Sequence, residues 1–590
     1  MKQKITLLVT VLCFLLACKE KPNKKVENMH DDFASLLDAY YEDGLKLNPI
    51  NATTAGDYRY NDSFTNLLSD AHIAKTKAHF NSYKEKLAAF LDENLTESEK
   101  LSKAILRWEC DINLNEFNFN ANLTPIDQMW SPNLFMGQLA SGSGAQPFNT
   151  VQDYEKWLKR VDGYIAWMSS AKAKMREGIE KGHVLPKSLI KKVLPQLNAL
   201  TVKDLEQHLF YQPIKNLPNH FTSQEKEKLT SAYQNMVTEK IVPAYENLYV
   251  FMKDEYLPAG RNSSGIQGEP NGDAYYAHQI KKYTTTNMTA AEIHELGLNE
   301  VARIRSEMEK IKEQVGFKGN LKAFFDYVRN NKALMPFNKP EEVIANFNAI
   351  HERMKPQIEK LFDNKPKTAF EVRRTEAFRE NSASAEYNPG SLDGTRPGIF
   401  YTPIPDVKKY NTYSDESLFL HEAIPGHHYQ ISLTQENEEL PKFRKTLWYS
   451  GYGEGWALYS ESLGEELGLY TDPYQLFGML GAEMHRAIRL VVDTGLHSKG
   501  WSREKAIQYS LANEAESEAS ITSEIERYMA NPGQALSYKI GQLKIQELRK
   551  KAEDTMGEDF DIRAFHNQVL ETGCVPLALL EEKINSWITK

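Results

Sequence analysis

The residue types of a metal-dependent hydrolase are concentrated in one short segment, FLHEAIPGHHYQ, which spans residues 419–430. Two histidines at positions i and i+4 of a helix converge on one zinc ion, and a glutamate directly after the first serves as a general base. Here His421 and Glu422 are followed by histidines only at i+6 and i+7, as His427 and His428. The pattern predicts a zinc site whose second histidine comes two residues later than usual.

A regular helix through this segment could not bring His421 and a later histidine to one zinc ion. Position i+6 points away from His421, and position i+7 lies roughly 10 Å along the axis, whereas zinc–nitrogen bonds are about 2 Å long. Pro425 and Gly426 interrupt the helix, because proline removes a backbone hydrogen bond and glycine tolerates unusual dihedral angles. With these two residues looped out, His427 becomes the second ligand. His428 is the alternative, and the unused histidine is expected beside the ligands or the substrate.

A third ligand is expected from the segment YSGYGEGWALYSESLGEELGLY, residues 449–470. Glu454 stands in a glycine-flanked GEGW, far enough beyond His427 for a helix to turn and return. Glu461 lies seven residues later on the same helix face, where a carboxylate orients a ligand histidine. We therefore predict that His421, His427 and Glu454 hold Zn²⁺, with one position left for water, and that Glu461 supports a histidine.

Hydrolysis of a peptide bond also needs a proton acceptor and a donor to the oxyanion. Glu422 is predicted to take the proton of the attacking water and to deliver it to the leaving amine. Tyr538, in the segment SEIERYMANPGQALSYKIGQLKI, is predicted to donate to the oxyanion. Arg527 and Tyr528 of the same segment are the alternatives for this role or for substrate contact.

The elements that must position these residues are mainly helical. From about Asp31 onward, apolar residues recur at spacings of three and four, which favours amphipathic helices. Thr150 is a predicted N-cap and Gly182 a predicted helix end, while Thr289 and Glu292 form a predicted capping box. No internal repeat and no large strand-rich block is present.

One short strand, GIFYTP, is predicted just before the histidine motif, where it could pair with an extended peptide as edge strands do. A Gly- and Pro-rich stretch from Tyr256 to Tyr276 is predicted to be a long loop. It separates an N-terminal helical region, 31–270, from a C-terminal catalytic helical region with the zinc site, 271–590.

Two other His-Glu pairs act as an internal comparison. His294–Glu295 and His351–Glu352 have no second histidine nearby. Both pairs are therefore expected on solvated helix surfaces.

The N-terminus, MKQKITLLVTVLCFLLAC, predicts export. Its apolar run of about 13 residues is too short to span a bilayer and is typical of a signal peptide. LLAC resembles a bacterial lipobox, in which Cys18 becomes the lipidated first residue; a plain secretory signal or a short buried helix is the alternative. We predict a signal peptide at 1–18, a polar tether at 19–30, and a lipoprotein on the periplasmic or cell-surface face of the outer membrane.

Composition favours an ordered globular protein: of 590 residues, 41% are hydrophobic and 26% charged. A net charge of -9 without a long basic run gives no reason to expect a nucleic-acid partner. Cys110 and Cys574 are too few for a disulfide framework and are predicted to be buried free thiols, although a bond between them stays open.

Four blocks in order resemble the bacterial domain-of-unknown-function 885 family: HEAIPGHHYQ, YGEGWALYSE, RLVVDTGLHSKGW and RYMANPGQALSYKIGQLKI. The resemblance covers most of the mature chain, and its specific motifs lie between about residues 382 and 545. That family is grouped with the gluzincin metallopeptidases and commonly occurs as lipoproteins. The resemblance implies a two-lobed helical architecture with a central cleft, similar at clan level to angiotensin-converting enzyme and the thimet-type oligopeptidases.

In such enzymes the first histidine and glutamate of the motif are ligand and base, which implies these roles for His421 and Glu422. The second histidine corresponds to His427 or His428, and the downstream glutamate to Glu454. The Pro-Gly insertion departs from the clan pattern, although dipeptidyl peptidase III tolerates a one-residue insertion at the equivalent place.

The sequence thus predicts a mainly α, two-lobed metallopeptidase-like fold with a central cleft and a small β element beside the metal-binding helix. The predicted activity is zinc-dependent hydrolysis of peptide bonds in short peptides by a lipid-anchored enzyme. The alternatives are a non-catalytic lipoprotein that binds a peptide or another ligand, and a zinc hydrolase of a non-peptide amide or ester.

Overall fold

The computed structural model describes residues 24–142, 144–376, 380, 383–391 and 396–589, with side chains from residue 28 onward. The predicted signal peptide, 1–18, with Cys18 lies outside the described residues, as do residues 19–23 of the predicted tether. Residues 24–30 of that tether are helical and form the first turns of the first helix. No helix within the described ranges combines the length and the apolar character that crossing a bilayer requires.

The prediction of a mainly helical chain is confirmed. Two π-helical turns, Val237–Ile241 and Met252–Tyr256, join three N-terminal helices into one continuous rod. The N-terminal helices are α1 (Lys24–Leu47), α2 (Pro49–Thr54), α3 (Asp70–Leu87), α4 (Glu97–Glu116), α5 (Pro132–Ala140), α6 (Val151–Lys181), α7 (Lys187–Asn198), α8 (Gln212–Lys215), α9 (Ser223–Met236), α10 (Val242–Phe251) and α11 (Leu257–Ala259).

The remaining chain adds fourteen described helices and one small sheet. The elements before the histidine motif are α12 (Gly272–Thr284), α13 (Ala290–Gln314), α14 (Leu321–Asn330), α15 (Pro340–Leu361), β1 (Phe370–Arg374), β2 (Glu386–Asn388) and β3 (Gly398–Thr402). The motif and the chain after it form α16 (Asp415–Glu422), α17 (His427–Glu436), α18 (Lys442–Thr446), α19 (Ser450–Glu461), α20 (Pro473–Ser498), α21 (Arg503–Asn513), α22 (Glu518–Ala530), α23 (Ser537–Met556), α24 (Ile562–Leu570) and α25 (Leu577–Trp587).

The residues predicted to cap helices do lie at the ends of helices in the structure. The Thr150 hydroxyl accepts from the backbone N–H of Asp153 at the start of α6, and Gly182 ends that helix with φ +79°. Thr289 and Glu292 form the predicted capping box of α13. These caps satisfy backbone groups that a helix end would otherwise leave unpaired.

The predicted loop from Tyr256 to Tyr276 is shorter than expected. Helix α11 extends to Ala259 and α12 begins at Gly272, and a 3₁₀ turn at Ile266–Gly268 lies between them. The Gly- and Pro-rich composition therefore marks only residues 260–271 as irregular.

The strand predicted in GIFYTP is β3, but it is not an edge strand. In the described sheet, β3 lies between β1, to which it is parallel, and β2, to which it is antiparallel. Its backbone is therefore paired on both sides, and an added peptide strand would have to use β1 or β2. The sheet lies beside the histidine motif, because the Phe370 ring of β1 is 5.0 Å from the ring of His428.

The two comparison histidines are not surface residues, which corrects the expectation for them. His294 is only 8% exposed, and its Nδ1 lies 2.7 Å from the Thr494 hydroxyl on α20. His351 is half-buried, with its ring 5.7 Å from that of Phe419. Each histidine falls on the face of its helix that packs inward, and only the glutamates beside them are exposed.

Apolar side chains form three clusters, and the largest joins distant parts of the chain. Phe33 of α1 and Ile105 of α4 share this cluster with Trp456 of α19 and Ile584 of α25. A second cluster lies within residues 68–256. The third forms chiefly between α13, α14 and the helices α20 to α22. The first cluster surrounds the histidine motif.

Helices α19 and α23 approach each other unusually closely through glycines. A Cβ atom on Gly455 would lie 2.5 Å from the Cα of Gly541, and one on Gly541 would lie 1.8 Å from the carbonyl oxygen of Gly451. Only glycine permits such backbone contact. This contact holds the glutamates of α19 against the helix that carries Tyr538.

The two cysteines within the described residues are free thiols, as predicted. Cys110 is 0% and Cys574 2% exposed. Burial, more than any neighbouring charge, raises the pKa of each thiol to about 12.

Candidate metal centre

The Pro-Gly dipeptide divides the histidine motif between two helices. Helix α16 ends at Glu422 and α17 begins at His427. The connecting residues leave helical geometry: Ala423 has φ -109° and ψ -105°, Gly426 has φ -74° and ψ -126°, and the Ile424–Pro425 peptide is cis. The predicted interruption of the helix is therefore present in the fold.

Two contacts fix the shape of this connection. The Trp456 indole nitrogen donates to the carbonyl oxygen of Pro425 at 2.8 Å. A Cβ atom on Gly426 would lie 2.0 Å from the carbonyl oxygen of His421, so a larger residue would push the two helix ends apart. Glycine is needed here for close backbone approach rather than for a left-handed conformation.

This connection between α16 and α17 allows His421 and His427 to meet Glu454. One ligand-type atom from each lies within 4.8 Å of the other two. The Nε2 atoms of His421 and His427 are 3.7 Å and 3.4 Å from the same oxygen, Oε2 of Glu454. The two imidazole rings are nearly perpendicular, with an interplanar angle of 86°.

These distances fit a zinc ion. In a tetrahedral site with bonds of about 2.0–2.1 Å, ligand atoms are separated by about 3.3 Å, close to the two separations from Glu454. Two imidazoles and one carboxylate are also a donor set that zinc hydrolases use.

Glu461 supports the first histidine, as predicted from its spacing to Glu454. Its Oε1 lies 2.7 Å from Nδ1 of His421, and both side chains are buried. A carboxylate that accepts from one imidazole nitrogen leaves the other nitrogen free to coordinate and fixes the ring orientation. His427 has no such support: its buried Nδ1 has no hydrogen-bond partner among the described residues.

The electrostatics of the cluster favour a cation between the ligands. Although burial opposes it, hydrogen bonds with Glu454 and Glu461 raise the pKa of His421 to about 9. Burial likewise works against ionisation of Glu454, yet contacts with His421 and His427 hold its pKa well below the usual range. Two carboxylates therefore draw positive charge into a buried site, and a metal cation would supply that charge without protons.

Glu422 lies next to the ligands with an environment suited to a base. It is only 8% exposed. Burial raises its pKa, and the charges of His421 and His427 oppose that rise. A raised pKa makes a carboxylate a better proton acceptor.

His428 points away from the cluster. Its Nδ1 lies 2.9 Å from the hydroxyl of Tyr387 on β2 and 3.3 Å from that of Ser432. Burial lowers its pKa to about 4. His428 therefore joins α17 to the sheet, and the geometry favours His427 as the histidine that faces Glu454.

Tyr538 begins α23 close to the cluster. Its pKa is raised by burial and next by the charge of Glu454. The guanidinium of Arg489 lies over the Tyr538 ring at 4.4 Å. This stacking orients the phenol from the side of α20.

The two alternatives to Tyr538 have other partners. The Tyr528 hydroxyl donates to Glu524 at 2.7 Å and accepts from Nε of Arg489 at 3.0 Å. Arg527 donates to Glu524 and, at 2.7 Å, to Gln534. None of their described hydrogen bonds reaches a ligand, so they support the surroundings of Tyr538 rather than the metal position.

Two residues near the centre were not identified from the sequence. Trp448 is 45% exposed, its ring centroid is 5.9 Å from that of His427, and it packs flat against the glycine at position 453. Arg486 of α20 lines a cavity of about 180 Å³ together with His421 and Glu461. Arg486 lies among Glu483, His485 and Arg489 on α20, so the sequence around it does not single it out.

Comparison with known proteins places most of the chain in one family. The model of the family described as bacterial protein of unknown function (DUF885) matches residues 49–584. A crystal structure of a protein assigned as a lipoprotein, from Colwellia psychrerythraea, is 29% identical, with a TM-score of 0.87 over 95% of this chain and 99% of that one.

A second structure, of a protein of unknown function from Shewanella oneidensis that is also assigned as a lipoprotein, shares the fold. It has a TM-score of 0.74 and 20% identity, and it covers 93% of this chain and 99% of that one. Comparison with curated proteins finds no match. Because the family model spans nearly all of the sequence, the chain belongs to the DUF885 family of bacterial proteins of unknown function.

Proposed function

We propose that this protein is a zinc-dependent peptidase that hydrolyses peptide bonds in short peptides. The observation that carries the proposal is the convergence of His421, His427 and Glu454. Glu422 beside them and the hydrogen bond from His421 to Glu461 complete the residue set of a gluzincin site. The order of the motifs along the chain and the helical scaffold support the same clan.

Each residue then has one role. His421, His427 and Glu454 would hold zinc, which when bound supplies a Lewis acid and lowers the pKa of a coordinated water. Glu422 accepts the proton of the attacking water and passes it to the leaving amine.

The oxyanion needs a further donor. Tyr538 donates a hydrogen bond to the oxygen that gains negative charge. Its raised pKa keeps the phenol protonated and therefore able to donate.

Short peptides are the proposed substrates because the cluster is not on an open surface. His421 is 5% and His427 9% exposed. An extended peptide can reach such a site between helices, whereas a folded protein cannot bring a backbone bond to it. The proposal therefore includes a two-lobed arrangement with a central cleft.

We also propose that the protein is exported and lipid-anchored through Cys18, on the periplasmic or cell-surface face of the outer membrane. The signal-like N-terminus and the two structural relatives assigned as lipoproteins support this. Metabolic labelling with a palmitate analogue should mark the wild type and not Cys18→Ser. Equal labelling of both would contradict the anchor.

The decisive experiment for the site begins with metal. Purified protein should contain about one zinc per chain by mass spectrometry, and His421→Ala and Glu454→Ala should lose it. Glu466→Ala is the matched control, because Glu466 is exposed on the segment after α19 and pairs with Arg549. A metal-free wild type would reject the proposal and favour a ligand-binding lipoprotein.

The second step identifies the reaction. The zinc-loaded protein is incubated with a mixed library of short peptides, and the products are read by mass spectrometry. Glu422→Gln should retain zinc and lose cleavage by a factor of about 10² or more. Zinc without any peptide cleavage would favour hydrolysis of a non-peptide amide or ester, which the same assay tests with such compounds.

A further inference from the structure

A cavity lies beside the metal centre on the side of α20. It has a volume of about 180 Å³. Its lining includes His421 of α16, Glu461 of α19 and Arg486 of α20, together with apolar residues such as Phe477 and Met308. Anything that enters this cavity therefore lies next to a ligand histidine and meets a guanidinium.

Arg486 differs from the other arginine of α20 in having no anionic partner. Within the described residues it forms no ion pair, and its one hydrogen bond goes to the carbonyl oxygen of Ala482 in its own helix, at 3.2 Å. Its Nε atom is buried without a hydrogen-bond partner. Arg489, three residues later, is by contrast bound to Glu524 and Tyr528.

The carboxylates around the cavity are already paired or lie away from Arg486. Glu461 binds His421, and Glu514 binds Nδ1 of His485 at 2.5 Å. Glu516 is exposed and forms no described ion pair with Arg486. Arg486 lines the same cavity as His421 and Glu461. The guanidinium is therefore close to the catalytic centre and still free to bind an anion.

Arg486 is half-buried, and its Nε atom is buried without a partner. An anion that enters the cavity would supply hydrogen bonds and charge that the surrounding protein does not provide. The planar donor fork of arginine matches a carboxylate in particular. Peptides carry carboxylates at the C-terminus and on acidic side chains. The small volume of the cavity suits one residue rather than a long stretch of chain.

We propose that Arg486 is a specificity-determining residue that binds a carboxylate of the peptide substrate in this cavity. The inference rests on the proposed peptidase function, since it assigns the substrate class of that same centre. The carboxylate is either the C-terminal one or that of an acidic side chain, and the experiment below separates the two.

Binding is measured by calorimetry on zinc-loaded Glu422→Gln protein, which is not expected to consume its ligand. One pair of probes is acetyl-Ala-Ala-Ala as the free acid and as the amide. The other pair is acetyl-Ala-Glu-Ala amide and acetyl-Ala-Gln-Ala amide. In at least one pair the carboxylate form should bind about 10- to 100-fold more tightly.

The second variant removes the guanidinium. Arg486→Gln should abolish the preference for the carboxylate while leaving zinc content unchanged, and Arg486→Lys should restore only part of it, because lysine lacks the planar fork. Arg107→Gln is the matched control: it removes an exposed arginine from α4 and should keep the full preference.

Equal affinity within both pairs, including no binding by any probe, would overturn the proposal, and so would a preference that survives in Arg486→Gln. Failure of the proposed function has a different signature. If the protein binds the acid more tightly than the amide through Arg486, but the wild type with Glu422 intact cleaves neither, then it is a carboxylate-binding protein and not a peptidase. A peptidase that cleaves acid and amide equally well lacks this subsite.

Discussion

At the scale of single residues, the two ligand histidines differ in what holds their second ring nitrogen. Nδ1 of His421 is bound by Glu461, whereas Nδ1 of His427 has no described partner. The position of the proposed zinc would therefore depend more on His421 and its carboxylate than on His427. Glu461 is the residue through which this dependence can be measured.

We expect Glu461→Gln to lower zinc affinity by about 10- to 100-fold, because an amide is a weaker acceptor and does not fix the imidazole as firmly. Competition with a chelating dye measures the dissociation constant. Glu466→Gln serves as the control, since that side chain is exposed and pairs only with Arg549. An unchanged affinity in Glu461→Gln would remove Glu461 from the site.

Tyr538→Phe should leave zinc content and KM nearly unchanged and reduce kcat by about 10²- to 10³-fold, because it removes a donor that acts only as negative charge develops. Steady-state kinetics on a cleaved library peptide gives both constants. Tyr58→Phe, at a tyrosine that is 49% exposed, is the control. Equal kcat in wild type and Tyr538→Phe would transfer the oxyanion role to another group.

Residue types and spacing were sufficient to select the candidate ligands. His421 and His427 follow from known zinc-site geometry once the Pro-Gly break is accepted, and Glu454 follows from its place on the next long helix. Trp448 and Arg486 could not be selected in this way, because their proximity to the centre depends on how α19 and α20 pack. The sequence around Arg486 also contains Glu483, His485 and Arg489, and it does not indicate which of them lies beside the centre.

At the scale of elements, the connection between α16 and α17 determines whether the two histidines meet. Gly426→Ala should abolish zinc binding while the protein remains folded, because the added methyl group collides with the carbonyl oxygen of His421. Zinc content and circular dichroism measure the two effects. Retention of full zinc content would show that the connection tolerates a side chain.

Gly44→Ala is the matched control for this substitution. Gly44 lies within α1 with nothing within 4 Å of a built Cβ atom. Alanine there should keep the zinc and stabilise the protein by about 0.5–1 kcal/mol, since it restricts the unfolded chain.

Helix ends were predictable because their signals are local, as Thr150 and Thr289 show. The position of β3 in its sheet was not, since it is set by pairing with β1, a strand separated from it by many residues. The prediction that His294 lies on a solvated surface was wrong for a similar reason, because only the packing of α13 against α20 reveals that it is buried. Local patterns thus indicate the element, and tertiary contacts decide its neighbours.

At the scale of the whole molecule, two buried histidines should make the protein sensitive to acid. Burial lowers the pKa of His497 and of His566 to about 3, whereas an unfolded histidine has a pKa of about 6.5. Below about pH 6.5 the unfolded state binds more protons, so stability falls as pH drops towards 3. Each group contributes up to about 1.4 kcal/mol per pH unit.

Thermal unfolding midpoints should therefore decrease between pH 7.5 and pH 5. His566→Asn should show a shallower decrease, and the exposed His220→Asn should behave like the wild type. Burial keeps His566 neutral when folded, although its hydrogen bond to the Leu361 carbonyl oxygen works in the opposite direction. An identical pH dependence in all three proteins would assign the acid sensitivity to other groups.

The helical class was predictable from periodicity along most of the chain, but the arrangement of helices was not. The core that surrounds the metal centre takes Phe33 from the beginning of the described chain and Ile584 from its end. Apolar periodicity shows that a helix has a buried face without identifying the surface that covers it. Such long-range partners are visible only in the folded structure.

The same core encloses both thiols, Cys110 and Cys574. The rate at which a reagent reaches them therefore measures how often this core opens. Neither thiol is accessible or ionised while the core is closed. Alkylation by iodoacetamide should then proceed only as fast as the core opens, and bound zinc should slow it. The labelling half-life would report how long the core around both thiols stays closed.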